Sequence, residues 1–226
     1  MSKFLDLDSP FMRALSRMAD LMILNLLVLV LCIPVITAGA AFTAMHFVLL
    51  KIVRGEEGYL VRGFFKSFKQ NFRQATILWL MILGVIALIV VDLVILSSSV
   101  MDMPRIYTIL ILAVALLMLI IGVYIFPVLA RFDNSIKNTI RNAFFISFLN
   151  LPKSILMVVV LFLPAVIAYF ISYSVIFVIL FGISVPAYIS AYLYSGIFKR
   201  FEPEQEEPVS DYDFSITTNS ENEETK

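Results

Sequence analysis

Residues 154–198 read SILMVVVLFLPAVIAYFISYSVIFVILFGISVPAYISAYLYSGIF, 45 positions without a charged side chain. As one helix the stretch would measure roughly 68 Å, twice the hydrocarbon core of a bilayer, so it must fold into two spans, with a turn near Ser172, Tyr173 and Ser174. Peptide groups left unpaired in lipid are costly, so helix is imposed even on runs this rich in Val, Ile and Phe. Two more charge-free runs, 74–91 and 106–130, are each long enough for a further span. The whole chain agrees: 61% of it is hydrophobic, 15% is charged, and its mean hydropathy is +0.95. A soluble domain with one core does not use that composition. The expected fold is an all-α, polytopic transmembrane bundle over 1–200, with about five spans. Four are expected at about 75–97, 106–130, 154–171 and 174–198.

The remaining apolar stretch, 21–50, is interrupted by Pro34, Thr37 and Gly39. It is long for one upright helix and short for two full spans. One kinked or tilted helix is the preferred expectation, and a broken pair with a re-entrant turn at Pro34 to Gly39 is the alternative. Pro34 and Gly39 serve either a packing kink or a break whose freed carbonyls line a site. A cleaved signal peptide is not expected, because Asp6, Asp8 and Asp20 precede or enter the apolar run and apolar sequence continues beyond it.

Basic residues set the orientation. The segment 51–73 holds six Lys or Arg and 131–153 holds four, whereas 92–105 holds only Arg105. Basic loops stay in the cytoplasm, so both long loops and the C-terminus are expected there. Five spans would then leave the N-terminus outside despite Lys3, Arg13 and Arg17, which speaks for the broken pair. A short interfacial helix over 9–20 offers a compromise. The tail 201–226 is acidic and polar, cannot bury enough apolar surface to fold, and is expected to be disordered.

Placed at about 100° per residue, Leu60 to Arg73 forms an amphipathic helix. Phe64, Phe65, Phe68 and Phe72 share one side with Asn71, and Arg62, Lys66, Lys69 and Arg73 share the other. Such a helix either rests on anionic lipid or docks a cytoplasmic partner. The motif recurs: Phe64, Phe65, Ser67, Phe68 and Asn71 align with Phe144, Phe145, Ser147, Phe148 and Asn150. The expected architecture is therefore an internal repeat of interfacial helix plus hairpin.

Asp20-x4-Asn25, then Cys-Ile-Pro34-x2-Thr37-x-Gly39, then Lys51-x2-Arg54-x-Glu56, then Phe64-Phe-x-Ser-Phe-x-x-Asn71-x-x-Gln74 resembles the YesL-like family of bacterial membrane proteins. The similarity is strongest from about Asp20 to Trp79. The resemblance implies a multi-pass protein of the bacterial cytoplasmic membrane, commonly encoded beside sugar-transport and glycan-degradation genes. It carries no defined reaction and no assigned active residues.

Catalytic signatures are missing from the sequence. His46 is the only histidine and Cys32 the only cysteine, so histidine dyads, triads, zinc motifs and disulfides lack partners. No phosphate-binding glycine loop occurs. No enzyme, cofactor, metal or nucleic-acid partner is expected. A polar intramembrane site could form where Asp20, Asn25 and His46 converge near Pro34, Thr37 and Gly39, although charges at helix ends usually reach water. Trp79, Tyr107, Tyr169 and Tyr173 read as interface anchors. The expected function is that of a non-enzymatic accessory or interaction component in carbohydrate uptake, contacting lipid and sugar-transporter subunits. The alternative is a transporter or permease subunit with a path between the two hairpin repeats.

Overall fold

A computed structural model describes residues 10–56, 58–97, 104–171, 173 and 175–201, and places them in eight α-helices. These are α1 (Pro10–Cys32), α2 (Ala38–Arg54), α3 (Leu60–Ser97), α4 (Arg105–Arg131), α5 (Ile136–Leu149), α6 (Leu151–Phe170), α7 (Val175–Phe181) and α8 (Ser184–Phe198). A 3₁₀ turn, Val35–Thr37, joins α1 to α2. Five helical segments are long and apolar enough to cross a membrane, and α7 with α8 makes a further pair bent by 48°. The protein is an all-α, multi-pass membrane bundle. It divides into a unit up to Gly196 and a unit from Ile197, in which Arg200 N–H donates to Ile197 O and Phe201 N–H to Phe198 O.

Local chemistry sets the helix ends. Pro10 opens α1, where its missing N–H costs nothing. Gly55, at φ 71°, closes α2: its N–H donates to Ile52 O (3.2 Å) and that of Glu56 to Lys51 O (3.0 Å). This is a Schellman ending, in which glycine adopts the left-handed conformation without strain. Ser135 caps α5 by accepting from the Asn138 N–H. Asn150 separates α5 from α6, whose second residue is Pro152.

The principal contact in the bundle is that of α2 along α3. Ala38, Gly39, Ala40, Ala41 and Ala44 are buried, and such small residues let helix backbones approach closely. A Cβ on Gly39 would lie 2.5 Å from Ala75 O and 2.6 Å from Trp79 Cβ, whereas one on Gly63 would meet only Val48 Cγ2, at 4.0 Å. The two helices are thus antiparallel, with the start of α2 beside Ala75 to Trp79 and its end near Gly63. Beyond Trp79, α3 continues beside α4 with most of its large apolar side chains exposed, as lipid contact requires.

Several expectations change. The single kinked helix over 21–50 is two helices joined by a 3₁₀ turn, because Pro34 takes an extended conformation (φ −77°, ψ 109°) that ends α1. The separate interfacial helix over 9–20 is instead the first part of α1. The amphipathic stretch 60–73 is likewise no separate helix: α3 runs on for 38 residues, about 57 Å. The expected span 174–198 is broken between α7 and α8, where Pro186 has no N–H to offer the carbonyl four residues earlier, that of Gly182. Ser172, Ser174 and the acidic tail from Glu202 lie outside the described residues.

Candidate functional site

The break between α7 and α8 has a side chain built into it. In an unbroken helix the Ile183 N–H would bond Ile179 O. Here the Asn25 amide of α1 stands between them: Oδ1 accepts from the N–H groups of Ile183 (2.9 Å) and Ser184 (2.9 Å), and Nδ2 donates to Ile179 O (2.7 Å). Asn25 is fully buried, and its amide replaces the missing helical bond. An intercalated amide of this kind satisfies in lipid what water would satisfy elsewhere. Gly182, Ser184 and Pro186 are the sequence signals for this break; nothing in the sequence pairs it with Asn25, 154 positions away from Ile179.

The turn between α1 and α2 is satisfied in a similar way. Thr37 Oγ1 donates to Leu31 O and lies 2.8 Å from Pro34 O, and the Trp79 indole N–H donates to Val35 O at 2.8 Å. Trp79 therefore secures a helix break, where the sequence reads it as an interface anchor. Its ring also packs with Phe42 and Phe126, tying α2, α3 and α4 together. Thr43 Oγ1 donates to Gly39 O. Buried on α8, Tyr194 places its Oη 3.1 Å from His46 Nδ1.

The polar residues expected to converge near Pro34 are thus taken up separately: Asn25 by the α7/α8 break, Thr37 by the turn itself, and His46 by Tyr194. Asp20 lies apart from all three, in a cleft with Arg17, Lys51, Glu56, Arg62 and Lys66. Among the described residues, no group of three or more His, Cys, Asp or Glu side chains could hold a metal ion.

The basic face is as the helical wheel places it. Arg62, Lys66, Lys69 and Arg73 are all exposed along one side of α3. The opposite side divides in two. Phe64, Ser67, Ala75 and Leu78 are buried on the side that carries α2, while Phe65 and Phe72 are partly exposed. The apolar face of this stretch therefore packs on protein as well as facing outward, and the helix stands alongside α2.

Both copies of the phenylalanine motif are helical. Phe64 and Phe65 have ring centroids 5.6 Å apart with an 84° interplanar angle, against 5.7 Å and 84° for Phe144 and Phe145. Asn71 Nδ2 donates to Ser67 O, and Asn150 Nδ2 to Ile146 O, each at 3.1 Å. Phe68 and Phe148 each contact the first phenylalanine of their own copy. Ser147 sits in a polar knot that the sequence did not announce. Ser154 Oγ of α6 lies 2.9 Å from Ser147 O, 3.0 Å from Asn150 O and 3.3 Å from the hydroxyl of buried Tyr124 on α4.

Residues 21–93 match the family model described as Protein of unknown function, DUF624. The matched segment begins in α1 and ends in α3, so it contains Asn25, the Pro34 turn, the α2–α3 contact and the basic face. It is consistent with the YesL-like resemblance, which rests on much of the same stretch. No curated protein and no solved structure matches the chain.

Proposed function

We propose that the protein is a non-enzymatic accessory component of the bacterial cytoplasmic membrane, and that Arg62, Lys66, Lys69 and Arg73 dock an acidic surface on a cytoplasmic partner. The single observation that carries this reading is the exposure of all four cations on a helix whose other side is held by α2. A helix lying flat on a leaflet would bring its cations to one headgroup depth. Here they are spread over about 17 Å of an α3 that continues into an apolar span, and a protein surface can meet a ridge of that length. The six Lys and Arg of 51–73 support assigning this stretch to the cytoplasmic side.

The YesL-like resemblance points to subunits of a sugar-uptake system as the partner. The competing reading, a transporter with a path between hairpin repeats, draws on the α7/α8 break, since transporters bind substrates at broken helices. Against it, Asn25 already takes up the backbone groups there that a substrate would need.

The test is purification of the tagged chain from native membranes in mild detergent, with mass spectrometry of whatever accompanies it. Wild type is expected to bring transporter subunits in stoichiometric amounts. The R62E/K66E/K69E/R73E variant is expected to lose them while keeping its helical circular dichroism. A wild-type protein recovered alone would overturn the docking role.

A further inference from the structure

At the foot of α2 and α3 lies an open cleft of about 540 Å³, within the usual size range for small-molecule sites. Three helices and one turn build it. Arg17 comes from α1, Lys51 from the last turn of α2, and Arg62 and Lys66 from the first turns of α3. Gly55, Glu56, Gly58 and Tyr59 supply the connecting wall. Four of the lining residues are cationic and two, Asp20 and Glu56, are carboxylates. Among the described residues, the only ion pair in the cleft is Lys51 Nζ to Glu56 Oε2 at 4.0 Å, close to the limit for such a contact. Arg17 spends one guanidinium N–H on Ile52 O at 3.5 Å, which leaves further donors of its rigid fork.

Convergence of cations is costly unless something offsets their mutual repulsion, and among the described lining residues two carboxylates stand against four cations. The wall also suits an anion. The Gly55 turn puts no side chain in the way, since a Cβ on Gly55 or on Gly58 would meet nothing within 4 Å. Tyr59 is 82% exposed, leaving its ring free to cover a bound group. Arginine pairs with phosphate through two parallel N–H bonds, and lysine adds a point charge.

We propose that this cleft binds a phosphate-bearing ligand, with Arg17, Lys51, Arg62 and Lys66 as its cationic contacts. The shared chemistry is the phosphate group, presented either by a soluble phosphate or by an anionic lipid headgroup. The cleft shares Arg62 and Lys66 with the docking ridge. Lys69 and Arg73 belong to the ridge alone and Arg17 and Lys51 to the cleft alone, so the two ideas fail separately.

The test uses the full chain in a neutral detergent, with binding followed by native mass spectrometry and by isothermal titration. The probes are inorganic phosphate, dioctanoyl phosphatidylglycerol and, as the uncharged control, dioctanoyl phosphatidylcholine. Saturable 1:1 binding is expected for phosphate or phosphatidylglycerol and not for phosphatidylcholine, and whichever binds identifies the source. R17Q and K51Q should each weaken it about fivefold, since one cation beside an anionic group contributes about that factor. K69Q/R73Q should leave it unchanged, and R17K/K51R should restore most of it if a double glutamine variant folds poorly. Equal binding of all three probes, no binding of either anion, or an equal loss in K69Q/R73Q would overturn the proposal.

Discussion

The two copies of the phenylalanine motif have the same local geometry and opposite surroundings. In α3 the first phenylalanine, Phe64, is fully buried; in α5 its counterpart Phe144 is 40% exposed. The serines agree, Ser67 and Ser147 both being buried. A motif of this kind therefore fixes which way the small residue points, while the neighbouring helix decides whether the first ring is covered. In the first copy the later part of α2, which meets α3 at Val48 and Gly63, runs beside this stretch. In the second, α5 packs on α4 through Thr139, Ala143, Ile146 and Ser147, which leaves Phe144, Phe145 and Phe148 turned outward.

The largest effect is expected from truncating the two rings in parallel. F64A should destabilise the protein by about 3–5 kcal/mol, the cost of a cavity left by a fully buried ring, and F144A by less than about 1 kcal/mol. Thermal unfolding of the purified variants in one detergent measures both. Equal losses would show that a helix or a second chain covers Phe144 as α2 covers Phe64, and the contrast would disappear.

Next in size is the close approach that makes the first copy different. G39A places a methyl group against Ala75 O and Trp79 Cβ, and should cost about 1–3 kcal/mol because backbone cannot yield as a side-chain tip can. G63A, on the facing helix but with open space, should be neutral or slightly stabilising through helix propensity. If G39A were as mild as G63A, the close approach of α2 to Ala75 and Trp79 would not constrain how the two helices pack.

Much of this arrangement was legible in the sequence, and the boundary is informative. Charge is readable at helical spacing because water or a polar surface is the only inexpensive place for Arg62, Lys66, Lys69 and Arg73. Apolar residues carry no such label: in a membrane protein a phenylalanine packed inside, as Phe64 is, and one exposed outside, as Phe65 is, are both common, so the split of the apolar face could not be seen. Pro34 and Gly39 announced an interruption, but a kinked helix and a 3₁₀ turn between two helices share those letters. The difference lies with Thr37 and Trp79, whose bonds to the turn depend on tertiary placement. Asn25 was recognisable as a polar residue in an apolar run needing a partner. That its partner is a break made by Gly182 and Pro186 follows only from folding α1 against α7.

Asn25 also extends the comparison to how the bundle manages backbone groups. Its substitution by leucine, N25L, should cost about 2 kcal/mol, because two N–H groups and a carbonyl lose their partner together. Hydrogen exchange localises the effect: Ile183 and Ser184 amides should lose protection while those of α3 keep theirs. Unchanged exchange would mean that the break finds other partners without help from α1.

The smallest effect is the one that separates the two motif copies by sign. Asn71 and Asn150 make the same bond, from Nδ2 to the carbonyl four residues earlier, but Asn71 lies inside a continuous helix and Asn150 at the junction of two. In a helix interior alanine is favoured over asparagine by about half a kcal/mol, so N71A should be neutral or slightly stabilising. At φ −127° and ψ 39° Asn150 is outside the helical range, and its side chain serves the end of α5 where carbonyls otherwise lack donors. N150A should therefore cost about 0.5–1 kcal/mol and loosen the Ser147–Ser154–Tyr124 knot beside it. Should the two variants shift stability in the same direction, the break after α5 would be set by Pro152 alone. Asn150 would then be, like Asn71, a residue whose amide merely finds the nearest carbonyl.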